Sequence, residues 1–358
     1  MKEYVALRVR EVHRLTDTSV TIAFDVPAEH RAAFAFQAGQ FLNVRTQIDG
    51  EEVRRSYSIC ASPSENMLRI AVKQVPDGKF STYANQVLQA GDTVEVMPPQ
   101  GKFTIMCEDG HTHQYVFFAA GSGITPVIAL MRYILETESR SQVILFYGNQ
   151  ALDTIMFREE LEAMKNTFLG RLSIHHVLSR ERQSSDLFNG RIDADKCDAY
   201  SRVFFSVPDV RKFMICGPEG MIRALRDWLG QQGVERERIG FELFTTGVER
   251  RSRPQKKHLD IDPAAESLVT VRIDGAAMDF SLAYGGKSIL DAAVANGADA
   301  PFSCKGGVCC TCKAKLVEGE VDMDMVYGLE PDEIEDGFIL TCQAHPRTER
   351  LFVDFDMR

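Results

Sequence analysis

The chain has 358 residues, of which 44% are hydrophobic and 26% are charged, with nine cysteines and a net charge of -10. This length and composition are typical of a globular protein of two or three domains, and the acidity disfavours nucleic acid as a partner. The first residues include the charged Lys2, Glu3 and Arg8, so we expect no signal peptide. Glycines and Pro126 interrupt the longest apolar run, so we expect no membrane partner. An odd number of cysteines without an export signal favours a reducing, cytoplasmic location.

Residues 1–109 consist of short alternating runs such as ALRVREV and SVTIAFDV, separated by Gly and Pro. This pattern predicts an antiparallel β-barrel. Within it, the motif Arg55-Ser56-Tyr57-Ser58 combines a guanidinium that suits a phosphate with an aromatic ring on the same strand face. Gly78 and Ser81 open a predicted helix whose first amides suit a pyrophosphate. The alternative is a barrel strand that carries an exposed arginine.

Residues 110–246 alternate strand-like runs, such as YVFFAA and QVILFYG, with helical runs, such as PVIALMRYILE. This alternation predicts a parallel, Rossmann-like α/β sheet with helical crossovers. The first strand leads into Gly121-Ser122-Gly123-Ile124-Thr125-Pro126. Its glycines permit close approach of the backbone, and the following helix start attracts phosphate. A later strand ends at Cys216-Gly217-Pro218, where Cys216 is equally well explained as a small buried hydrophobe.

Residues 247–266 lack aliphatic periodicity and carry five basic residues between Arg250 and Lys257, which predicts a linker. A solvated tether and a pad for an acidic module are both compatible with this composition. Residues 267–358 form a third predicted unit, with 16 Asp and Glu against 8 Lys and Arg. That acidity suggests a basic docking surface on another protein, although acidic surfaces also serve solubility alone.

The third unit contains Cys304, Cys309 and Cys312 in the spacing C-x4-C-x2-C, and Cys342 follows after 29 intervening residues. This is the plant-type arrangement for a 2Fe-2S cluster, in which one tight loop supplies three thiolates. A structural zinc site is the alternative, but zinc sites usually take their cysteines as two separate pairs. Cys310 lies between ligands, so we expect its side chain to point away from them.

The motifs of residues 1–246 resemble those of the ferredoxin-NADP reductase superfamily. The resemblance implies a flavin with Arg55 on its phosphate, Tyr57 stacked on the isoalloxazine and Ser58 hydrogen-bonded near N5. It also implies that Glu242 and Phe244 bring a polar group and a ring to the flavin. The remaining flavin residues implied are Ser56, Lys73, Gly78 and Ser81. Two phosphate motifs favour FAD, with FMN as the alternative.

The same resemblance implies an NAD(P)H site. Cys216 would help to hold the transferring carbon near flavin N5, which makes Ser58, Cys216 and Glu242 the predicted catalytic residues. Ser179, Arg180 and Arg182 follow a strand edge where NADP-dependent members bind the 2'-phosphate. The resemblance therefore favours NADPH over NADH. The alternative is that these residues form a solvated loop. The other nucleotide-binding residues implied are Gly121, Ser122, Gly123, Thr125, Pro126, Gly217 and Pro218.

Residues 267–358 resemble a plant-type ferredoxin, which implies a β-grasp fold and one-electron transfer. The order of flavin barrel, nicotinamide domain, linker and ferredoxin resembles the reductase components of multicomponent oxygenases. It implies an enzyme that passes electrons from NADPH through FAD and a 2Fe-2S cluster to an oxygenase. Runs such as PFSCKGGVC and YGLEPDEIEDGFILTCQ resemble those of reductases that serve a di-iron, ring-epoxidising oxygenase. The resemblance therefore implies such an oxygenase as the acceptor, with a Rieske-type hydroxylase as the alternative. A redox sensor without turnover is a further hypothesis, disfavoured by the intact hydride-side motifs.

Overall fold

The computed structural model describes residues 4–244 and 265–357. The chain divides into two compact units, one built mainly from residues 4–244 and the other mainly from the C-terminal residues. Most of the predicted linker, residues 247–264, lies outside the described residues, and the first strand of the C-terminal unit already begins at Glu266. In the part of the chain that is described, no helix is long and apolar enough to cross a membrane.

The N-terminal part forms a six-stranded antiparallel sheet in the order β4-β3-β6-β1-β2-β5. A bridge between Ile59 and Ile70 joins the ends of this order, which confirms the predicted barrel. Fully buried side chains such as Leu7, Val9 and Ile22 fill its interior. The strands are β1 Val5–Thr16, β2 Ser19–Asp25, β3 Phe41–Ile48, β4 Glu51–Ser58, β5 Leu68–Lys73 and β6 Thr93–Val96, and the helix α1 spans Lys79–Gln86.

The second part is a five-stranded sheet in the order β11-β10-β7-β8-β9, and all its strand pairs are parallel, as predicted. Helix α2 begins at Ile124, directly after a 3-10 turn at Gly121–Gly123, so Pro126 lies in its first turn as expected. The strands are β7 Gln114–Ala120, β8 Gln142–Asn149, β9 Leu172–Leu178, β10 Val210–Gly217 and β11 Ile239–Leu243. The helices are α2 Ile124–Thr137, α3 Arg158–Thr167, α4 Ala194–Val203 and α5 Glu219–Gln231.

The C-terminal unit has a five-stranded mixed sheet in the order β13-β12-β18-β14-β16 and a separate pair of β15 with β17. Its core includes the fully buried Val269, Leu290 and Val353. The strands are β12 Glu266–Ile273, β13 Ala276–Ala283, β14 Lys313–Glu318, β15 Val321–Met323, β16 Phe338–Leu340, β17 Ala344–Pro346 and β18 Arg350–Asp354. The helices are α6 Ile289–Ala295 and α7 Pro331–Glu335.

Candidate functional site

Three polar side chains meet where the barrel approaches the C-terminal edge of the parallel sheet. Ser58, the last residue of β4, is buried and donates a hydrogen bond from Oγ to Glu242 Oε2 at 3.0 Å. Glu242 lies on β11, in register with the fully buried Cys216 on β10. The fold therefore brings together Ser58, Cys216 and Glu242, the three residues that the sequence predicts to be catalytic.

The environment of Glu242 changes its proton affinity. Burial raises the pKa of its carboxyl to about 7, although the hydrogen bond from Ser58 opposes that shift. Burial, and secondarily the charge of Glu242, raises the pKa of the Cys216 thiol well above its ordinary value. A carboxyl with this pKa can exchange a proton near neutral pH, whereas a thiol with a raised pKa stays protonated.

The raised pKa of Glu242 predicts a defined dependence of stability on pH. The protonated carboxyl is favoured in the folded state, so its contribution is fully present below about pH 4.5 and is lost as pH rises through about 7. We expect Glu242→Gln, which stays neutral, to gain stability relative to wild type between about pH 5 and 8. Urea unfolding of the holoprotein across this range measures the difference. The exposed Glu237→Gln is the control, and an equal pH dependence in both variants would contradict the assignment.

The predicted flavin residues fit a ring and a phosphate. Tyr57 lies on β4 with its ring 5.3 Å from that of Phe80 on α1, which holds the tyrosine in place. Arg55 is exposed, and its Nη1 donates to the carbonyl of Arg54 at 2.7 Å, so most of its donors face solvent. The aromatic ring of Tyr57 can stack on a flat flavin ring, and the guanidinium of Arg55 can donate hydrogen bonds to a phosphate.

The turn before α1 needs a glycine at position 78. A Cβ on Gly78 would lie 2.3 Å from Ser81 Oγ. That hydroxyl accepts from the backbone amide of Val75 at 3.2 Å and donates to the Gly78 carbonyl at 3.1 Å. Ser81 thus fixes the turn itself, while the first amides of α1 stay available to an anion.

Lys73, which the resemblance places among the flavin residues, has its ammonium close to the glycine turn after β7. A Cβ on Gly121 would be 3.9 Å from Lys73 Nζ. Burial lowers the pKa of this lysine, and no hydrogen-bond or ion-pair partner for its ammonium is found among the described residues. A partly buried ammonium without a counterion fits a phosphate, and its position between the barrel and the glycine turn suits a phosphate of either nucleotide.

The glycine turn after β7 packs directly against the end of β10. A Cβ on Gly123 would lie 2.1 Å from the carbonyl oxygen of Cys216, so only glycine fits there. Gly121 has φ +54°, and its carbonyl accepts a hydrogen bond from the Tyr147 hydroxyl at 3.0 Å. Thr125 Oγ1 donates to the Ser122 carbonyl at 3.0 Å. These contacts fix the turn against the end of β10, next to Gly217. Sequence reasoning missed Tyr147, since nothing in its strand sets it apart.

The residues predicted to select NADPH follow the end of β9. The Ser179 hydroxyl donates to the Asn149 carbonyl at 3.3 Å, and the Arg180 amide donates to the Gln150 carbonyl at 2.8 Å. Both arginine side chains are exposed, and among the described residues Arg182 has a single ion pair, a distant one of 4.0 Å with Asp186. Their guanidinium groups are therefore accessible to a phosphate.

The four predicted cluster ligands converge in the C-terminal unit. Cys304 Sγ accepts hydrogen bonds from the amides of Gly306 at 3.2 Å and Cys309 at 3.4 Å. A hydrogen bond from the Cys309 thiol, assisted by such amides, lowers the pKa of Cys304 below its ordinary value. Cys312 hydrogen-bonds Cys342 in the same way. Two adjoining thiol pairs with amides directed at sulfur form a donor set that fits a 2Fe-2S cluster.

Gln343 is a residue at this centre that sequence reasoning missed. Its Nε2 lies 3.7 Å from Cys342 Sγ and donates to the Lys305 carbonyl at 3.0 Å, tying the fourth ligand to the loop that carries the other three. Its position directly after Cys342 was the available signal. Cys310 takes φ +54° and directs its Sγ to the Gly328 carbonyl at 2.6 Å.

Three family models match successive parts of the chain. One described as "Oxidoreductase FAD-binding domain" matches residues 6–105, one described as "Oxidoreductase NAD-binding domain" matches residues 117–227, and one described as "2Fe-2S iron-sulfur cluster binding domain" matches residues 271–347. Their order is the one that the sequence motifs predict, and the three cofactor classes are thereby confirmed.

Full-length relatives share this organisation. The chain is 39% identical to one of the subunits of the 1,2-phenylacetyl-CoA epoxidase of Escherichia coli, over 100% of this chain and 99% of that protein. It is 33% identical to the ferredoxin reductase component of the 3-ketosteroid-9-alpha-monooxygenase of Rhodococcus rhodochrous, over 98% and 97% of the two chains. Among solved structures, phthalate dioxygenase reductase is similar in fold, with a TM-score of 0.60, 24% identity and 98% coverage of both chains.

Proposed function

Because this chain belongs to the family of oxygenase reductase components that includes the matching 1,2-phenylacetyl-CoA epoxidase protein, we propose that it delivers electrons from NADPH to a di-iron epoxidase acting on phenylacetyl-CoA. The chain is an NAD(P)H-dependent oxidoreductase with FAD and a 2Fe-2S cluster. Reductase components of this family transfer electrons to oxygenase partners. What we propose beyond this is the choice of NADPH and the identity of the oxygenase.

The observation that carries the proposal is identity over the whole chain. The chain is 39% identical to the epoxidase protein and 33% to the ketosteroid monooxygenase reductase, at nearly equal coverage. The lower of these values still supports a Rieske-type hydroxylase as a second candidate partner. Both candidates use the same cofactors, so the distinction lies in the acceptor.

The residues have separate parts in the proposed reaction. When bound, FAD accepts two electrons from a nicotinamide and passes them singly to an iron-sulfur cluster. Arg55 and Tyr57 would hold the flavin, and Gly123 would let the nucleotide approach it. Ser58 and Glu242 would position and exchange a proton at the edge of the flavin, since their hydrogen bond is 3.0 Å long and Glu242 titrates near neutral pH.

The acceptor is tested by affinity capture with the immobilised holoprotein from its own host, grown on phenylacetate or on another carbon source. Recovery of the di-iron epoxidase proteins from phenylacetate-grown cells, identified by mass spectrometry, is the expected result. Phenylacetyl-CoA epoxidation by the recovered proteins, dependent on NADPH and on this chain, completes the test. Recovery of a Rieske terminal oxygenase instead would contradict the epoxidase assignment.

Arg180 gives a prediction for nucleotide choice. Arg180→Ala should lower kcat/KM for NADPH by roughly ten- to 100-fold and leave NADH nearly unchanged, because a hydrogen bond to a charged group contributes about 1.5 to 3 kcal/mol. Initial rates with both nucleotides measure this. Arg202→Ala removes a comparably exposed arginine on α4 and serves as the control. An equal loss with NADPH and NADH would show that Arg180 does not contact the 2'-phosphate.

A further inference from the structure

A second group of metal-binding side chains lies away from the cofactor sites. His111 and His113 precede β7, and Glu138 follows the last residue of α2. One ligand atom from each of the three residues lies within 4.8 Å of the others. Nothing in the predicted electron-transfer chemistry uses them.

The carboxylate of Glu138 is buried and held in a fixed orientation. Glu138 is 0% exposed, and both oxygens of its carboxylate accept a hydrogen bond from the Tyr115 hydroxyl at 3.1 Å. Ser141 Oγ donates to Oε2 at 2.6 Å. The Cys107 thiol also forms a hydrogen bond with the Glu138 side chain. Metal-binding carboxylates are commonly oriented by such neutral donors.

This buried charge lacks a cationic partner. Within residues 4–244 and 265–357, no lysine or arginine forms an ion pair with the Glu138 carboxylate. Arg171 is adjacent, but its guanidinium donates to the backbone carbonyls of Leu135 and Glu138, at 2.9 and 3.0 Å, and thereby caps α2. A buried carboxylate is costly without a counter-charge, and a metal ion held with the two imidazoles would supply one.

The two histidines are placed to complete the site. They are two residues apart, just before β7, with ring centroids 5.0 Å apart. The His113 amide donates to Ser141 Oγ at 2.9 Å, so the same serine anchors both the loop and the carboxylate. His111 is exposed, and its Nε2 lies 3.6 Å from the exposed Glu108 carboxylate. Zinc ligands in a tetrahedron are about 3.4 Å apart, so the three ligand atoms would draw closer together on binding. The exposed side chain of His111 has room to rotate for this.

We propose that His111, His113 and Glu138 bind a Zn²⁺ ion that fastens the segment between barrel and parallel sheet to the end of α2. Two imidazoles and one carboxylate are a zinc donor set, with the fourth position open to water. The site adjoins the start of β7, whereas the nucleotide turn follows its end, roughly 23 Å away for seven residues. The ion therefore stabilises the connection and takes no part in hydride transfer.

The test uses full-length holoprotein without a histidine tag, with the cluster verified by iron content so that its thiols are occupied. Calorimetric titration with Zn²⁺ should show one site, and saturation should raise Tm by about 5 °C. The double variant His111→Ala/His113→Ala should lose both effects while keeping flavin and iron. Tyr115→Phe, which removes a hydrogen bond to the carboxylate, should weaken binding by about ten- to 100-fold. The exposed His13→Ala should bind as wild type does.

Zinc-edge X-ray absorption identifies the donor atoms independently of activity. The expected first shell is nitrogen and oxygen at about 2.0 to 2.2 Å. A shell dominated by sulfur at about 2.3 Å would place the ion on cysteines and overturn the proposal. Equal zinc affinity in the double histidine variant, or no binding to wild type in the micromolar range, would overturn it as well.

Discussion

Cys309→Ser should abolish the iron-sulfur cluster, while Cys310→Ser should leave it in place. Cys309 hydrogen-bonds Cys304 through both its thiol and its backbone amide, inside the group of four sulfurs. Cys310 points to the Gly328 carbonyl instead. Four thiolates are needed to bind the two irons, so the first change removes a ligand and the second removes only a weak donor. Iron content and visible absorption of the purified variants measure the outcome.

The two cysteine variants also separate the two halves of the reaction. Cys309→Ser should still use NAD(P)H to reduce the flavin, but its delivery of electrons to a one-electron acceptor protein should fall to that of cluster-free protein. Cys310→Ser should retain both activities. Loss of the cluster in Cys310→Ser, with a folded C-terminal unit by circular dichroism, would show that the ligand set differs from Cys304, Cys309, Cys312 and Cys342.

Gly123→Ala should strongly impair the use of the nicotinamide nucleotide. Its Cβ would lie 2.1 Å from the Cys216 carbonyl oxygen and 2.5 Å from the carbonyl carbon, and backbone cannot rotate out of the way as a side chain can. The glycine turn must therefore move away from β10. A displacement near 1 Å costs about 100-fold in kcat/KM, and overpacking costs about 1 to 3 kcal/mol in stability.

Gly220→Ala is the matched control for this change. It adds the same methyl group within α5, where, apart from the neighbouring residues and the backbone of the helix itself, no atom of the described residues lies within 4 Å of the new Cβ. An alanine in a helix should stabilise the protein by about 0.5 to 1 kcal/mol and leave kcat/KM unchanged. Steady-state kinetics with NAD(P)H and thermal unfolding of both variants measure the difference. Near-equal kinetics for the two would refute the close packing of the turn on β10.

Much of the fold could be predicted because each part has its own local pattern. The barrel runs have period two, the parallel sheet alternates with helices, and the cysteine spacing marks the ferredoxin module. The strands β15, β16 and β17 were not anticipated, since each has only three residues and no hydrophobic periodicity can develop in so short a run.

The site residues could be predicted from the residues alone only where one short motif supplies the functional side chains together. Ser58 and Glu242 are 184 positions apart, and their pairing with the flavin came from family resemblance, not from either local sequence. The proximity of the Lys73 ammonium to the Gly121 turn could not be read from the sequence either, because a position on a strand does not reveal what a long side chain reaches. The group of His111, His113 and Glu138 could not be predicted from the sequence, because β7 and the 14-residue helix α2 separate the histidines from the glutamate.

Electron flow from a nicotinamide to the cluster within this one chain is the property on which its role as a reductase depends. Anaerobic mixing of the full holoprotein with NADPH, followed at the flavin and cluster absorption bands, measures this. We expect both bands to bleach within the dead time of an ordinary assay, with dithionite defining the fully reduced cluster. Reduction of the flavin alone, in protein whose cluster dithionite still reduces, would contradict the assignment of the chain as an electron-delivering reductase.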